Sequence, residues 1–408
     1  MLTGHGVNFK RALQIEFDPR KREWLAGHCE PEILLDDVTS AAAGTNVNHM
    51  NGQQVLLPEK LAVYSYGFSC KDLSGLNNHS RAWSKDCVSS GQGSTGATWK
   101  GNLAVVAATR PWIVLMENVP SAAKGRNWLQ MQTDLEAKGY TLFKIVLNAC
   151  HFGLPQDRLR AWFSAIRTDV MATRDDSDLP GLIDVLRIPQ HLPLHRFILP
   201  PGNTYLQRII MERSQISVKK AERDEKAAAS IKKGKVTKKK KKQSGKKWVA
   251  DHWKVRRLLD MPEPPPVPAH IEDAAFKNGM GDREVDLLRI IEEGPSRPDA
   301  TVQPTVELKH SAPRVVGLSG VKKKKYQGST SCLLPTSRMM VLPPTVPELR
   351  YLTGMEALCI QGVGSGSRIE SHGFTDRELL HLAGNAFSAG CFAAVFIATL
   401  AHVDLSRL

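Results

Sequence analysis

The apolar positions of this chain come in short bursts separated by amphipathic stretches. Phe9 to Ile15 reads as a strand that closes on the acidic pair Glu16 and Asp18 around Phe17. Arg20 to Cys29 then has helical spacing, and Ile33-Leu34-Leu35 is a brief apolar run closing on Asp36-Asp37. Val55 to Tyr66 leads into a glycine-bounded turn. Leu103 to Thr109 is an Ala/Val-rich helix stopped before Pro111, and Trp112 to Met116 is apolar at every position. Trp128 to Lys138 reads as a helix with Gly139 as its stop signal. Thr141 to Asn148 and Ala161 to Ile166 read as two more strands. Apolar strands without strict alternation suit burial on both faces. Their alternation with helices predicts an α/β fold with a doubly wound parallel sheet.

Ligands of such sheets sit beyond the carboxyl ends of the strands. Glu16, Asp37, Cys70 and Glu117 all fall at those ends. From about residue 167 the texture changes to proline, charge and low complexity. Lys238–Lys242, Pro264–Pro266 and Lys322–Lys325 mark this region, and order returns near Pro347. Three segments result: a catalytic region at 1–166, a recognition or insert region at 167–345 that is partly disordered, and a C-terminal return at 346–408. In the return, Leu349–Cys359, Arg377–Leu382 and Ser388–His402 are helical, the last almost entirely apolar.

The 408 residues are 42% hydrophobic and carry a formal charge of +14. That excess favours a polyanionic partner, although the lysine runs are equally consistent with solvated tails. The first run suits a nuclear-localisation or phosphate-tethering tract, or a plain solvated insertion. Cys29, Cys70, Cys87, Cys150, Cys332, Cys359 and Cys391 are scattered with no C-x-x-C pair. Neither a disulfide framework nor a metal site is supported, and a reducing intracellular setting is expected. No apolar run approaches the ~18 residues needed to span a bilayer, so no membrane partner is expected.

Three clusters carry candidate chemistry. Gly67-Phe68-Ser69-Cys70-Lys71-Asp72-Leu73-Ser74 puts a cysteine in a turn after an apolar run. Glu117-Asn118-Val119 ends a strand, and Gln156-Asp157-Arg158-Leu159-Arg160 supplies two arginines. Together they offer a nucleophile, an acid and an anion stabiliser. The blander alternatives are a buried structural thiol, a helix-capping carboxylate and surface ion pairs. Gly91–Gly96 is Gly-rich but lacks the Lys-Ser/Thr of a phosphate loop. The stretch 71–96 reads instead as a mobile lid.

In this order the clusters resemble the cytosine-C5 methyltransferase family, over most of 9–166 and 349–395. The resemblance implies a Rossmann-like methyltransferase sheet, S-adenosylmethionine as cofactor and DNA as substrate. The tRNA-methylating branch, which uses the same residues, and an inactive nucleic-acid-binding remnant are the alternatives. It makes Cys70 the attacking thiol, Glu117 the carboxylate at N3 of the base, and Arg158 and Arg160 the groups holding the base and Glu117. Ser74, Asn118 and Gln156 take substrate-side and loop-supporting roles. Glu16, Phe17 and Asp37 take the adenosine of the cofactor, and Gly384-Asn385 its methionine end. Leu352 to Gly362 resembles the segment supporting the recognition lobe. Two departures stand out. Ser69 replaces the proline that stiffens the family's turn, which predicts a looser hold on Cys70. Lys71 replaces a glutamine, and its charge predicts a lower thiol pKa. The family's first strand and Gly-rich cofactor loop have no counterpart before Gly4, which predicts an N-terminally truncated sheet.

Overall fold

The computed structural model describes residues 10–74, 86–172, 178–189, 191–232, 246–261, 266–293, 304–309, 328–364 and 373–407. The lysine runs at 238–242 and 322–325, Pro264–Pro265, the segment before residue 10 and the middle of the expected lid (75–85) lie outside them. The chain forms two compact units. The first comprises Met1–Phe152, Leu159–Pro189 and Ala389–Leu408, and the second Gly153–Arg158 and Gln190–Ser388.

In chain order the elements up to residue 185 are β1 (Leu13–Ile15), α1 (Pro19–Cys29), β2 (Ile33–Leu35), β3 (Asn46–Val47), β4 (Gln54–Val55), β5 (Val63–Gly67), α2 (Cys87–Ser90), α3 (Gly93–Thr109), β6 (Ile113–Asn118), α4 (Gly125–Glu136), β7 (Tyr140–Asn148), β8 (Gln156–Asp157), β9 (Leu159–Arg167) and α5 (Asp178–Val185). All but β8 belong to the first unit.

Its main sheet has the order β5-β6-β9-β7. Only β5 and β6 are parallel; β9 runs antiparallel to both β6 and β7. The sheet is therefore mixed, because β7 and β9 are joined by a connection too short for the crossover that parallel neighbours require. β1 and β2 form a separate parallel pair with Ile15 opposite Leu35.

β6 is central, and Ile113, Val114, Leu115 and Met116 are buried on both faces, as its unbroken apolar run predicts. α3 covers the sheet with Trp99, Val105 and Val106, none of them exposed. It begins ten residues earlier than the apolar pattern suggests, because Gly93–Gly96 form its first turn. A Cβ on Gly101 would lie 2.6 Å from the Val38 carbonyl oxygen, so this glycine lets α3 approach the loop after β2. α4 adds Met131 and Leu135, each fully buried aliphatic chain contributing roughly 1.5–3 kcal/mol. α1 starts where Asp18 accepts from the Arg20 and Lys21 amides, with Pro19 in its first turn.

The second unit contains α6 (Thr204–Lys232), α7 (Lys246–Leu258), α8 (Ala269–Asn278) and α9 (Asp282–Glu293). They precede β10 (Thr305–Glu307), β11 (Thr330–Ser331), β12 (Met339–Val341) and β13 (Arg350–Tyr351). β10, β12 and β13 make an antiparallel sheet, and β11 pairs with β8. Val255, Ile271, Leu287, Leu288, Val306 and Met340 share one core. Much of 246–351, where composition suggested low complexity, is thus packed. Residues 346–388 fold with this unit rather than with the first.

Residues 376–400 are, among the described residues, the one helical stretch apolar and long enough to cross a membrane by composition, contrary to the expectation of none. Half of its most apolar window is buried, and it is interrupted between Asn385 and Ala389.

Candidate active site

The parallel register of β5 and β6 sets Gly67 beside Glu117. Both strands therefore deliver their next residues to the same end of the sheet. Past Gly67 the chain turns over Phe68, whose ring is buried against Trp99 with centroids 5.5 Å apart. Cys70 follows and is exposed. Its carbonyl accepts from the amides of Leu73 (3.1 Å) and Ser74 (2.9 Å), which closes the turn. Ser121 Oγ donates to the Leu73 carbonyl at 2.7 Å.

Asn118, 2% exposed, donates through Nδ2 to the Phe68 carbonyl at 2.9 Å and accepts the Val119 amide at 2.8 Å. The cysteine turn is thereby tied to the end of β6. Cys87 has the opposite environment from Cys70. It is fully buried, and burial together with the Asp72 carboxylate pushes its thiol pKa up. The exposed thiol is the one suited to attack.

Glu117 and Arg160 meet across the antiparallel pair. Glu117 lies opposite Trp162 and Asn118 opposite Ala161, which brings Arg160 alongside. Arg160 Nε stands 3.0 Å from Glu117 Oε1, with the two side chains 16% and 12% exposed. So little water screens the pair that each group fixes the other's charge and direction.

At the other parallel pair, Glu16 and Phe17 follow β1 and Asp37 follows β2. Glu16 Oε1 accepts the Asp18 amide at 2.9 Å. Asp37 Oδ1 accepts both the amide and the hydroxyl of Thr39 at 2.8 Å. The Phe17 ring is 77% exposed.

The remaining expected residues lie in the second unit. Arg158, expected on Glu117 and the base, is 3% exposed. Its guanidinium donates to the carbonyls of Leu333 (2.9 Å), Ala386 (3.1 Å) and Gly384 (3.4 Å). Gln156, expected at the substrate, is fully buried, and its Oε1 accepts the Leu333 amide at 3.1 Å. In the first unit, Asn118, expected to support the cysteine loop, bonds the Phe68 carbonyl of that turn. Asn385 is exposed at the end of its helix, donating to the His381 carbonyl at 2.9 Å. The glycine before it answers to packing: a Cβ on Gly384 would lie 2.2 Å from Pro335 N.

Inspection of the sequence missed the residues that hold the cysteine turn from below. Ser69 N donates to Thr98 Oγ1 at 3.0 Å, and Asp72 Oδ2 accepts the Thr95 amide at 2.9 Å. The turn expected to be loose is hydrogen-bonded on both sides of Cys70. The signal available was the Ser94, Thr95, Thr98 spacing, one polar face of a helix, which the neighbouring glycines disguised as loop.

The C-5 cytosine-specific DNA methylase family model matches residues 52–390. The DNA (cytosine-5-)-methyltransferase DMT5 of Cryptococcus neoformans var. grubii is 27% identical over 219 residues, covering 51% of this chain. The chain spans 8% of that relative's length. The crystal structure of S. pombe Dnmt2 methyltransferase aligns with a TM-score of 0.52 at 11% identity, covering 98% of this chain and 93% of that one; this likeness bears on the fold alone. With its family model spanning cysteine turn, Glu117 and arginine pair alike, the chain belongs to the C-5 cytosine-specific DNA methylases.

Proposed function

We propose that the chain transfers a methyl group from S-adenosylmethionine to C5 of a cytosine in DNA through a covalent bond from Cys70. The observation that carries this reading is the convergence of the cysteine turn and the Glu117–Arg160 pair on one end of the β5-β6-β9 sheet.

The Cys70 thiolate adds to C6 of the base, and the electron pair of the C5=C6 bond moves toward N3. Glu117 supplies or shares the proton there, which keeps that charge neutral and leaves C5 electron-rich. Arg160 holds the carboxylate toward the base. Bound S-adenosylmethionine supplies the electrophilic methyl group. Once C5 carries the methyl, its proton leaves to water, the C–H electrons rebuild C5=C6, the C6–S bond breaks with its pair returning to Cys70, and N3 gives its proton back to Glu117.

Glu16, Phe17 and Asp37 suit the cofactor's adenosine. Two carboxylates at adjacent parallel strand ends can accept from ribose hydroxyls, and an exposed ring can stack on a purine. The +14 charge supports a polyanionic substrate.

Duplex DNA containing C5-fluorocytosine, incubated with the protein and S-adenosylmethionine, is expected to give a covalent complex that Cys70→Ala abolishes. No complex with the wild-type protein refutes the proposal. Suppression of trapping by tRNA but not by unmodified duplex would move the substrate to RNA.

A further inference from the structure

We propose that Ser69, Asp72 and the first turn of α3 form a hydrogen-bonded latch that positions Cys70, doing in this chain what a proline does in the family's turn. The proposal rests on the covalent role of Cys70 given above and extends it to Ser69, Asp72 and the side chains of α3 that bind them.

Five side chains build the latch. Thr98 Oγ1 donates to the Ser94 carbonyl at 2.7 Å, which leaves its lone pair to accept the Ser69 amide at 3.0 Å. The Ser69 and Ser94 hydroxyls are 3.0 Å apart. Asp72 is bound twice: its amide donates to Thr95 Oγ1 at 3.2 Å, and its Oδ2 accepts the Thr95 amide at 2.9 Å. Ser94 Oγ adds a longer contact to the same oxygen, at 3.3 Å.

Gln92, the residue at the α3 N-cap, contributes no side-chain capping bond. Asp72 therefore caps this helix from a distant point in the chain, where a carboxylate is favoured by the helix dipole. α3 is itself fixed in the core through Trp99, Val105 and Val106. Residues 69 and 72 are thus pinned to a rigid element on either side of an exposed thiol.

A residue other than proline at 69 is essential to this arrangement, because a proline there has no N–H to give Thr98. The two solutions are alternatives. Proline restricts the turn through its own ring, and serine restricts it through a bond to the helix. Asp72, Ser69 and Thr98 are positioning residues, since none is required to touch the base.

The variants Thr98→Val, Asp72→Ala, Asp72→Asn, Ser69→Pro and the double variant Ser69→Pro/Thr98→Val test the latch. The readouts are single-turnover formation of the C5-fluorocytosine adduct, DNA affinity, and amide hydrogen exchange of residues 68–74. Thr98→Val and Asp72→Ala are expected to slow adduct formation about 10- to 100-fold. DNA affinity should be unchanged, and the turn should lose exchange protection while the rest of the unit keeps it. Asp72→Asn retains an acceptor for the Thr95 amide and should stay within about threefold of wild type. Ser69→Pro should slow the native protein yet speed the Thr98→Val background, since the ring then replaces a bond already lost.

Adduct rates and exchange within about twofold of wild type in both Thr98→Val and Asp72→Ala overturn the latch. So does Ser69→Pro acting alike in both backgrounds. If wild type forms no adduct, the catalytic proposal fails, and loss of protection in 68–74 still decides whether the latch exists.

Discussion

The substitution Asn118→Asp is the sharpest test of how the end of β6 holds the cysteine turn. It changes one NH2 group to oxygen and leaves shape and volume almost unaltered. Asn118 is 2% exposed, donating to the Phe68 carbonyl at 2.9 Å and accepting from the Val119 amide at 2.8 Å. A carboxylate keeps the second bond but sets an acceptor against the Phe68 carbonyl, so that a donor–acceptor contact becomes a repulsion. Leaving that buried carbonyl unsatisfied costs about 1–3 kcal/mol. Burying the new charge raises the total to roughly 2–5 kcal/mol. Asn118→Ala loses both bonds but buries no charge, and should cost about 1–3 kcal/mol. The isosteric change is therefore expected to be the more damaging at pH 7.

The order has a pH signature. The new carboxyl group is opposed by the carbonyl and by burial, so its folded-state pKa lies above its unfolded value. Protonation restores a donor. The defect should thus be full at pH 7 and shrink as the pH falls through the raised pKa. Denaturant unfolding at several pH values measures the stability difference, and single-turnover adduct formation measures the displacement of Cys70, expected at about 100-fold or more. If Asn118→Asp matches wild type in stability and rate at pH 7, or if its defect grows on acidification, Asn118 does not hold the turn as described.

Two further outcomes concern the second unit. Gly384→Ala would place a methyl 2.2 Å from Pro335 N, which is backbone that cannot step aside; a loss of about 1–3 kcal/mol in denaturant unfolding is expected, and a neutral result would show that the Arg158 cluster is less tightly packed than it stands here. Burial works against the Asp286 carboxylate, but hydrogen bonds from His252 (2.7 Å) and Arg256 (2.9 Å) more than offset it and hold its pKa below the usual 3.8. A depressed carboxylate stabilises the fold above its unfolded pKa, so this contribution should be present from about pH 4 upward and disappear below it. Acid titrations of wild type and Asp286→Asn should converge below pH 4; curves that stay parallel throughout would contradict the sign.

The β-elements of the first unit were legible because burial on both faces leaves a continuous apolar run, and Ile113–Met116 is such a run. Direction was not legible. Whether a strand runs parallel or antiparallel depends on the length and path of its connection, and β9 returns beside β6 without an α-helix between β7 and β9. The start of α3 was hidden for a local reason. Gly93 and Gly96 disfavour helix in isolation, yet Gly96 sits where a Cβ would lie 2.4 Å from the Cys87 carbonyl. Close packing demands the residue that propensity disfavours. In the second unit, charge and proline masked a core whose apolar residues are spread over three helices and three strands.

The site divides along a physical line. Cys70, Glu117 and Arg160 could be proposed from the chain because the role proposed for each depends on what the side chain is: a polarisable sulfur, a carboxylate, a fixed cation. Arg158 carries the same chemistry and belongs to the same short signature. Its guanidinium nevertheless donates to three carbonyl oxygens of the second unit. Side-chain type states what a residue can do, and only its partners state what it does. The same holds for Ser69, whose hydroxyl suggested a weaker turn than proline gives. Its backbone N–H makes the difference, through an acceptor 29 positions further along the chain. A bond of that kind has no local pattern to betray it. The residues that position a nucleophile are therefore the part of such a site that folding must reveal.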